Sequence, residues 1–315
     1  MTTEIKSLDE LAAGWRSHSS ARLGARVDRL PPALRLLRPH QWVKNGFVAA
    51  PLFFTPWALS AENIALVFAG VCVFSLIASA AYILNDCVDC IADRQHPLKR
   101  TRPIASGEIS RPSAMVLLGA LLAAGLTIAF LLSFSFGALA VIYFAVNVAY
   151  SSWLKNISIL DVMTITFGFV LRVMAGATLI QVQPSVWIII CTGLVALFLA
   201  LAKRRDDLAQ ALGPSHRAAL AGYTKQFLDT SIAIVLGALI IAYIMYTTDE
   251  EVMRRLKAEE LYLTVPFVLA GVLRYLQISL VEERSGAPTL VVLTDRFLAA
   301  CILLWAASFG LLIYL

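Results

Sequence analysis

The sequence predicts an all-α, polytopic membrane protein, and three observations carry that reading. Apolar residues make up 59% of 315, while charged residues make up only 15%, against roughly 25% in soluble domains. Mean hydropathy is +0.76. The apolar residues also come in long uncharged runs, each near the ~20 residues that a helix needs to cross a bilayer. In lipid such runs must satisfy their own backbone groups, which they do as helices.

Nine runs are read as spans: 46–60, 62–84, 113–132, 135–152, 158–180, 184–202, 227–247, 260–280 and 295–315. The first is short and is broken by Pro51 and Pro56. The first 45 residues lack the basic, apolar, small-residue order of a signal peptide. Residues 1–38 form a basic N-terminal segment and residues 39–315 one transmembrane domain. In the former, Leu8, Leu11 and Trp15 share a helical stripe. That pattern suits a helix lying on an anionic leaflet and suits a mobile basic tail equally well. Cys72, Cys191 and Cys301 fall inside apolar runs and read as core packing. Cys87 and Cys90 form a C-x-x-C without the second pair or histidines that a zinc site needs.

Basic residues set the orientation. Lys6, Arg16, Arg22, Arg26, Arg29, Arg35, Arg38 and Lys44 precede the first span. Arg94, Lys99, Arg100, Arg102 and Arg111 follow the second, and Lys203, Arg204, Arg205, Arg217 and Lys225 follow the sixth. The other side carries only Arg254, Arg255 and Lys257, interleaved with glutamates. The positive-inside rule puts the N-terminus and these basic connections in the cytoplasm of a plasma-membrane protein, with the C-terminus outside. Nothing in this arrangement calls for nucleic acid, and homo-oligomerisation is left open.

The segment 82–107, YILNDCVDCIADRQHPLKRTRPIASG, carries the chemistry. Asn85, Asp89 and Asp93 are spaced i, i+4, i+8, so a continuing helix stacks them on one face, with Asp86 adding an oxygen at the same edge. Carboxylates that close repel one another near a membrane. Oxygen ligands without His or Cys suit Mg²⁺, which binds few carboxylates together with substrate phosphates. His96-Pro97 ends the helix, and Lys99, Arg100 and Arg102 follow, suited to phosphate oxygens. A merely solvated basic loop explains the bases but not the periodic acids. On the same side stand Tyr150 and Lys155 at the end of the fourth span, and Asp161 and Arg172 within the fifth. Asp161 and Arg172 share a helix face, as functional groups or as a structural ion pair. Lys203, Arg204, Asp206 and Asp207 end the sixth span, while Asp295 and Arg296, just after Gly286-Ala287-Pro288, suit a helix cap.

Asn85-Asp86-x-x-Asp89-x-x-x-Asp93 resembles the first aspartate-rich motif of the UbiA superfamily of intramembrane prenyltransferases. LRPHQWVKN at 37–45, YSSWLKNISILD at 150–161, GFVLRVMAGA at 168–177 and AKRRDDL at 202–208 resemble its decaprenyl-phosphate phosphoribosyltransferase branch. The resemblance covers about 38 to 300 and implies a bundle of nine helices with its site on the cytoplasmic side. It also implies Mg²⁺ on Asn85, Asp89 and Asp93, with Asp86, Asp89, Asp93, Lys99 and Arg102 as catalytic residues. Lys44, Arg100, Tyr150, Lys155, Asp161, Arg172, Lys203, Arg204 and Asp207 would bind substrate. The implied reaction moves 5-phosphoribosyl from phosphoribosyl pyrophosphate to a polyprenyl phosphate drawn from among the membrane lipids, in service of cell-wall precursors. One departure decides the branch. Aromatic prenyltransferases carry a second DxxxD motif after the sixth helix, whereas this chain has Lys203-Arg204-Arg205-Asp206-Asp207. The branch usually has an acid, often Glu, where Asp207 stands. Lys203 and Arg204 are therefore expected to hold a donor phosphate. An aromatic prenyltransferase using a polyprenyl diphosphate is the rival reading. A transporter is a more distant one, without the repeated halves that transporters show.

Overall fold

The computed structural model describes residues 30–95, 99–209, 218–282, 291 and 294–314. The stripe at Leu8–Trp15, the His96-Pro97 helix stop and the 286–288 turn lie outside these residues.

The described chain is all-helical. After α1 (Pro32–Leu37) comes a 3₁₀ stretch, Pro39–Ala49, then α2 (Ala50–Phe53) and a 3₁₀ turn at Pro56–Ala58. The long helices follow: α3 (Ala61–Gln95), α4 (Arg111–Leu132), α5 (Phe134–Ser152), α6 (Leu160–Leu179), α7 (Val186–Ala209) and α8 (Lys225–Thr248). A short α9 (Glu250–Leu256) leads to α10 (Val265–Leu276) and α11 (Arg296–Tyr314). Eight helices among the described residues are long and apolar enough to cross a membrane, α10 counting with its flanking turns as Leu261–Val281.

The expected span 46–60 is not a ninth continuous helix. Pro39, Pro51 and Pro56 each remove a backbone donor, so the run breaks into short pieces. Its path still goes from one end of the bundle to the other. Arg38 meets Asp86 near the end of α3, and Phe53 stacks on Phe309 and accepts from the Tyr314 hydroxyl near the end of α11. A 3₁₀ rise of ~2.0 Å per residue lets so few residues cover about 30 Å.

Small residues on α3 make that path possible. Trp42 donates to Ser79 at 3.0 Å and Asn45 to Ser75 at 3.0 Å, so residues 38–48 run antiparallel to α3 against a buried Ser/Ala face. Small residues at such a seam let backbones approach closely. Gly176 of α6 is the extreme case, because a Cβ there would lie 1.9 Å from the Val48 carbonyl oxygen. Successive helices from α3 to α8 pack on their chain neighbours. Among the described residues the two largest apolar cores are built by α3–α6 with the first crossing, and by α6, α7, α8, α10 and α11. The outer faces stay apolar and exposed, Leu131 at 80% and Val116 at 75%, as lipid contact requires.

Helix starts are capped as the sequence chemistry favours. Ser110 accepts from the Ser113 N–H at 3.2 Å, Thr224 from Phe227 at 3.1 Å, and Asp249 from Val252 at 2.9 Å. That backbone bond, with the Trp187 indole, holds the Asp249 carboxyl below its ordinary value. Asp295 caps α11 through the Leu298 N–H at 2.8 Å and also pairs with Arg274 at 2.6 Å. All five cysteines are free. Cys90 is buried against the Ile104 carbonyl at 3.7 Å, and Cys72 is exposed on the outer face rather than in the core.

Gly176→Ala should therefore push Val48 off α6 and destabilise the protein by about 1–3 kcal/mol. Gly237→Ala, whose added methyl would meet nothing within 4 Å, should be neutral or mildly stabilising. Thermal melts in detergent check the pair, and equal melting temperatures would refute the close seam.

Candidate active site

The end of the bundle that carries Asp86 is a network of charges. α3 continues past its apolar run as one helix to Gln95, so Asn85, Asp86, Asp89 and Asp93 ride on its last turns. Each acid is met by a base from elsewhere in the chain. Asp86 is 2% exposed and takes Arg38 from before the first crossing and Arg102 at 3.0 Å. Arg102 also reaches Asp93, itself buried, at 2.6 Å. Asp89 accepts from Lys155 and, at 3.0 Å, from the Asn85 amide. Arg35 ties the connection down through Glu108 at 2.7 Å, which holds that carboxyl below its ordinary value.

This geometry shows what each member of the expected metal ladder meets in the folded chain. Asp86 is no spare oxygen ligand, because two guanidiniums enclose it. Among the described residues no group of three or more acids, histidines or cysteines is disposed to hold a metal. The cause is electrostatic: the chain's own cations neutralise carboxylates that would otherwise repel one another. Asn85 and Asp89 remain adjacent, with the Asp89 side chain 28% accessible. An amide oxygen and a carboxylate fit a cation that takes few protein ligands and completes its shell with phosphate oxygens.

A second network sits at the end of α7 and corrects another expectation. Arg204 is 1% exposed and is enclosed by Asp161 at 2.7 Å and by Asp207. It faces the protein, where two carboxylates already meet its charge. Lys203, its neighbour, is exposed. Asp161 is therefore not the partner of Arg172, although both lie on α6. It pairs with Arg204 and accepts from the Tyr223 hydroxyl at 2.6 Å. Tyr223 in turn accepts from the Ile159 N–H at 2.6 Å. Ile159 has φ 71°, a left-handed value that a β-branched residue adopts only when its surroundings impose it. The Tyr223 hydroxyl thus clamps the turn between Lys155 and α6. Arg205, also buried, pairs with Asp229 of α8.

The remaining expected residues separate by place. Lys99 and Arg100 sit on a 3₁₀ turn, Arg100 exposed, and Tyr150 is half-buried on the last turns of α5. Arg172 lies deeper, bonded to Asn45 at 2.9 Å, to the Gly168 carbonyl at 2.8 Å and to the Tyr143 hydroxyl at 2.7 Å. Lys44 lies within electrostatic reach of Arg172, Lys203 and Arg38. Sequence reasoning missed Arg38, Asn45, Tyr143 and Tyr223. Arg38 and Asn45 stand within LRPHQWVKN, where polar residues next to an apolar run were the available signal.

Asp161→Asn should leave Arg204 with Asp207 as its remaining carboxylate and cost about 1–3 kcal/mol. Tyr223→Phe should cost about 1–3 kcal/mol. Lys203→Ala should leave stability unchanged. Melting temperatures check all three, and a Lys203→Ala loss matching that of Asp161→Asn would refute the division between Lys203 and Arg204.

Comparison with known proteins fits this geometry. Decaprenyl-phosphate phosphoribosyltransferase of Mycolicibacterium smegmatis is 32% identical over 89% of this chain and 92% of its own. The enzyme of that name from Corynebacterium glutamicum is 32% identical over 90% of this chain and 86% of its own. A UbiA homolog from Archaeoglobus fulgidus, solved with GPP and Mg²⁺, shares the fold at a TM-score of 0.68 and 19% identity, over 90% of this chain and all of that one. The model of the UbiA prenyltransferase family matches residues 46–299, and this multi-pass membrane protein belongs to that family.

Proposed function

We propose that this protein transfers 5-phosphoribosyl from phosphoribosyl pyrophosphate to a polyprenyl phosphate of the decaprenyl type, releasing pyrophosphate. The observation that carries the reading is the paired ladder: three carboxylates matched by three bases, Arg38, Arg102 and Lys155. Such a site is balanced when empty and stays balanced when a metal–diphosphate enters, because acids and bases exchange one another for the two halves of the ligand. The named relatives support the choice of substrates.

Asn85, Asp89 and Asp93 would hold a Mg²⁺ that neutralises charge on the departing diphosphate. Arg102 and Lys155 turn from carboxylates to phosphate oxygens, with Lys99 and Arg100 at the mouth, and Lys203 reaches the donor from α7. As the anomeric C–O bond to pyrophosphate breaks, positive charge develops on the ribose, of the oxocarbenium kind. The lipid phosphate oxygen forms the new bond to that carbon. With a second pKa near 6, a phosphate monoester is mostly dianionic at pH 7, so no general base is needed. At the helix ends, the segments 85–111 and 203–225 would face the cytoplasm, as the positive-inside rule requires of their basic residues.

Purified wild-type protein given Mg²⁺, polyprenyl phosphate and labelled phosphoribosyl pyrophosphate should yield a labelled lipid. EDTA should abolish the product, and so should Asp89→Asn without loss of fold. Prenylation of a phenolic acid by the wild type, with no phosphoribosyl transfer, would instead support the aromatic prenyltransferase reading. For orientation, single cysteines replacing Arg111 and Glu259 on a cysteine-free background should be labelled from inside and outside intact cells respectively. The reverse pattern would overturn the topology.

A further inference from the structure

We propose that Tyr223 is a positioning residue for Lys155: from the connection after α7 it fixes the turn that carries Lys155, and so sets how the ammonium meets Asp89 and a diphosphate drawn to the ladder. The inference rests on the phosphoribosyl-transfer reading for the ligand alone, and deepens it by adding a residue that acts through another.

The first observation is what fails to hold the turn. Lys155 lies on the 3₁₀ turn Leu154–Asn156, between the end of α5 and the start of α6. Asn156 and Ile157 donate back to the Trp153 and Leu154 carbonyls at 3.0 and 3.2 Å, and Asp161 to the Ile157 carbonyl at 3.0 Å, so residues 153–161 form one bonded run. Packing does not anchor that run, since none of residues 152–160 is buried. Its large apolar side chains face outward, Trp153 at 57% and Ile159 at 54% exposed. A lysine ammonium rides on a flexible four-carbon stem, and here the backbone beneath it is not held by a core either.

The second observation is what does hold the turn. The 3₁₀ turn Ala218–Gly222, just before α8, lies against it. Ser158 donates to the Ala219 carbonyl at 2.7 Å, and the Ile159 N–H donates to the Tyr223 hydroxyl at 2.6 Å. Ala219 and Tyr223 are both buried. The Tyr223 ring stacks on Phe227 at 5.9 Å, and Thr224 beside it caps α8. Its hydroxyl donates to Asp161, itself buried and paired with Arg204. The hydroxyl thus has one orientation, with its proton on Asp161 and a lone pair toward Ile159.

The third observation is strain. Ile159 stands at φ 71° and ψ −50°, near the φ of roughly +75° and ψ of roughly −65° of the rare, strained γ-turn. Such a backbone persists only where its surroundings impose it, and the N–H that Tyr223 meets belongs to that very residue. Released from Tyr223, Ile159 relaxes toward negative φ. Because α6 holds the chain on one side, the movement falls on the other, where Lys155 meets Asp89 and comes within 3.5 Å of the Asn85 amide oxygen. A misplacement of about 1 Å matters at a contact that orients a substrate.

The test reads Lys155 directly, in the full chain in nanodiscs. Acylation of each lysine by a soluble amine reagent, read by mass spectrometry, reports how firmly Lys155 is held, with the exposed Lys257 as reference. Binding of phosphoribosyl pyrophosphate with Mg²⁺ is measured on the same variants. Tyr223→Phe keeps the ring and removes the hydroxyl. It should raise Lys155 acylation about fivefold, the scale of one hydrogen bond, leave Lys257 unchanged and weaken the diphosphate probe about as much. In a Lys155→Ala background, Tyr223→Phe should weaken binding no further, because its effect passes through Lys155. Ser158→Ala loosens the same turn without touching Asp161. It should act in the same direction, and it carries the test if Tyr223→Phe fails to fold. Additive losses in the double variant would overturn the proposal, and so would unchanged Lys155 acylation in both single variants. Faster acylation of Lys257 as well would reduce Tyr223 to general stability and overturn it too. If the wild type makes no labelled lipid, the phosphoribosyl-transfer reading fails, while the acylation result still decides the role of Tyr223.

Discussion

Asp86 is almost wholly buried yet holds two guanidiniums, one from residue 38 and one from residue 102, and much of the molecule is arranged around that contact. A carboxylate at the rim of a bilayer must be paired, and removing one partner of a buried pair strands the other charge. The Arg38 arm fixes where the first crossing starts on α3. The contacts at Ser79, Ser75 and Gly176 then follow in register. The Arg102 arm pulls the connection after α3 back over the helix end and places the same guanidinium on Asp93. One ion triad thus sets both the approach of the first crossing and the closure of the polar face.

What was legible in the sequence follows from which forces are local. Long apolar runs gave the eight crossing helices because a bilayer acts on every residue of a run alike. The ladder at 85–93 was legible because helical spacing alone stacks those side chains. The first crossing was legible as an apolar run but not as a helix, since its three prolines trade α-helical bonds for 3₁₀ pieces that only packing on α3 stabilises. Partners were not legible. Arg38 meets Asp86 across 48 residues, Tyr223 meets Asp161 across 62, and Arg172 meets Asn45 across 127. No spacing rule reaches that far. Arg204 shows the cost: next to Lys203 in the sequence and about 100° round α7 from it, it is buried while Lys203 is exposed, so two adjacent charges have opposite surroundings.

The two kinds of cation in this bundle behave differently on physical grounds. Lys155 and Arg102 are held by carboxylates whose own charge remains when the base departs, so releasing either base requires something cationic to take its place. A phosphate taking those bases would therefore be favoured only together with a cation on the carboxylates. Arg172 carries no such condition, since its three hydrogen bonds go to neutral oxygens and nothing charged must leave it.

The turn at Ile159 bears on how the exchange at Lys155 takes place. A β-branched residue at φ 71° stores strain of order 1–3 kcal/mol and persists only where other contacts over-determine it. Here the Tyr223 hydroxyl accepts from its N–H, and Ser158 donates to the Ala219 carbonyl at 2.7 Å beside it. Gly222 leaves no room for the turn to shift, since a Cβ there would lie 2.1 Å from the Ser158 hydroxyl. The backbone that carries Lys155 is thus fixed at its C-terminal side, three residues away. Lys155 can then leave Asp89 only by rotating its own side chain, whose four-carbon stem gives it the reach. A rotation of the Lys155 side chain on that fixed backbone leaves α6, and with it the Asp161–Arg204 pair, where it is.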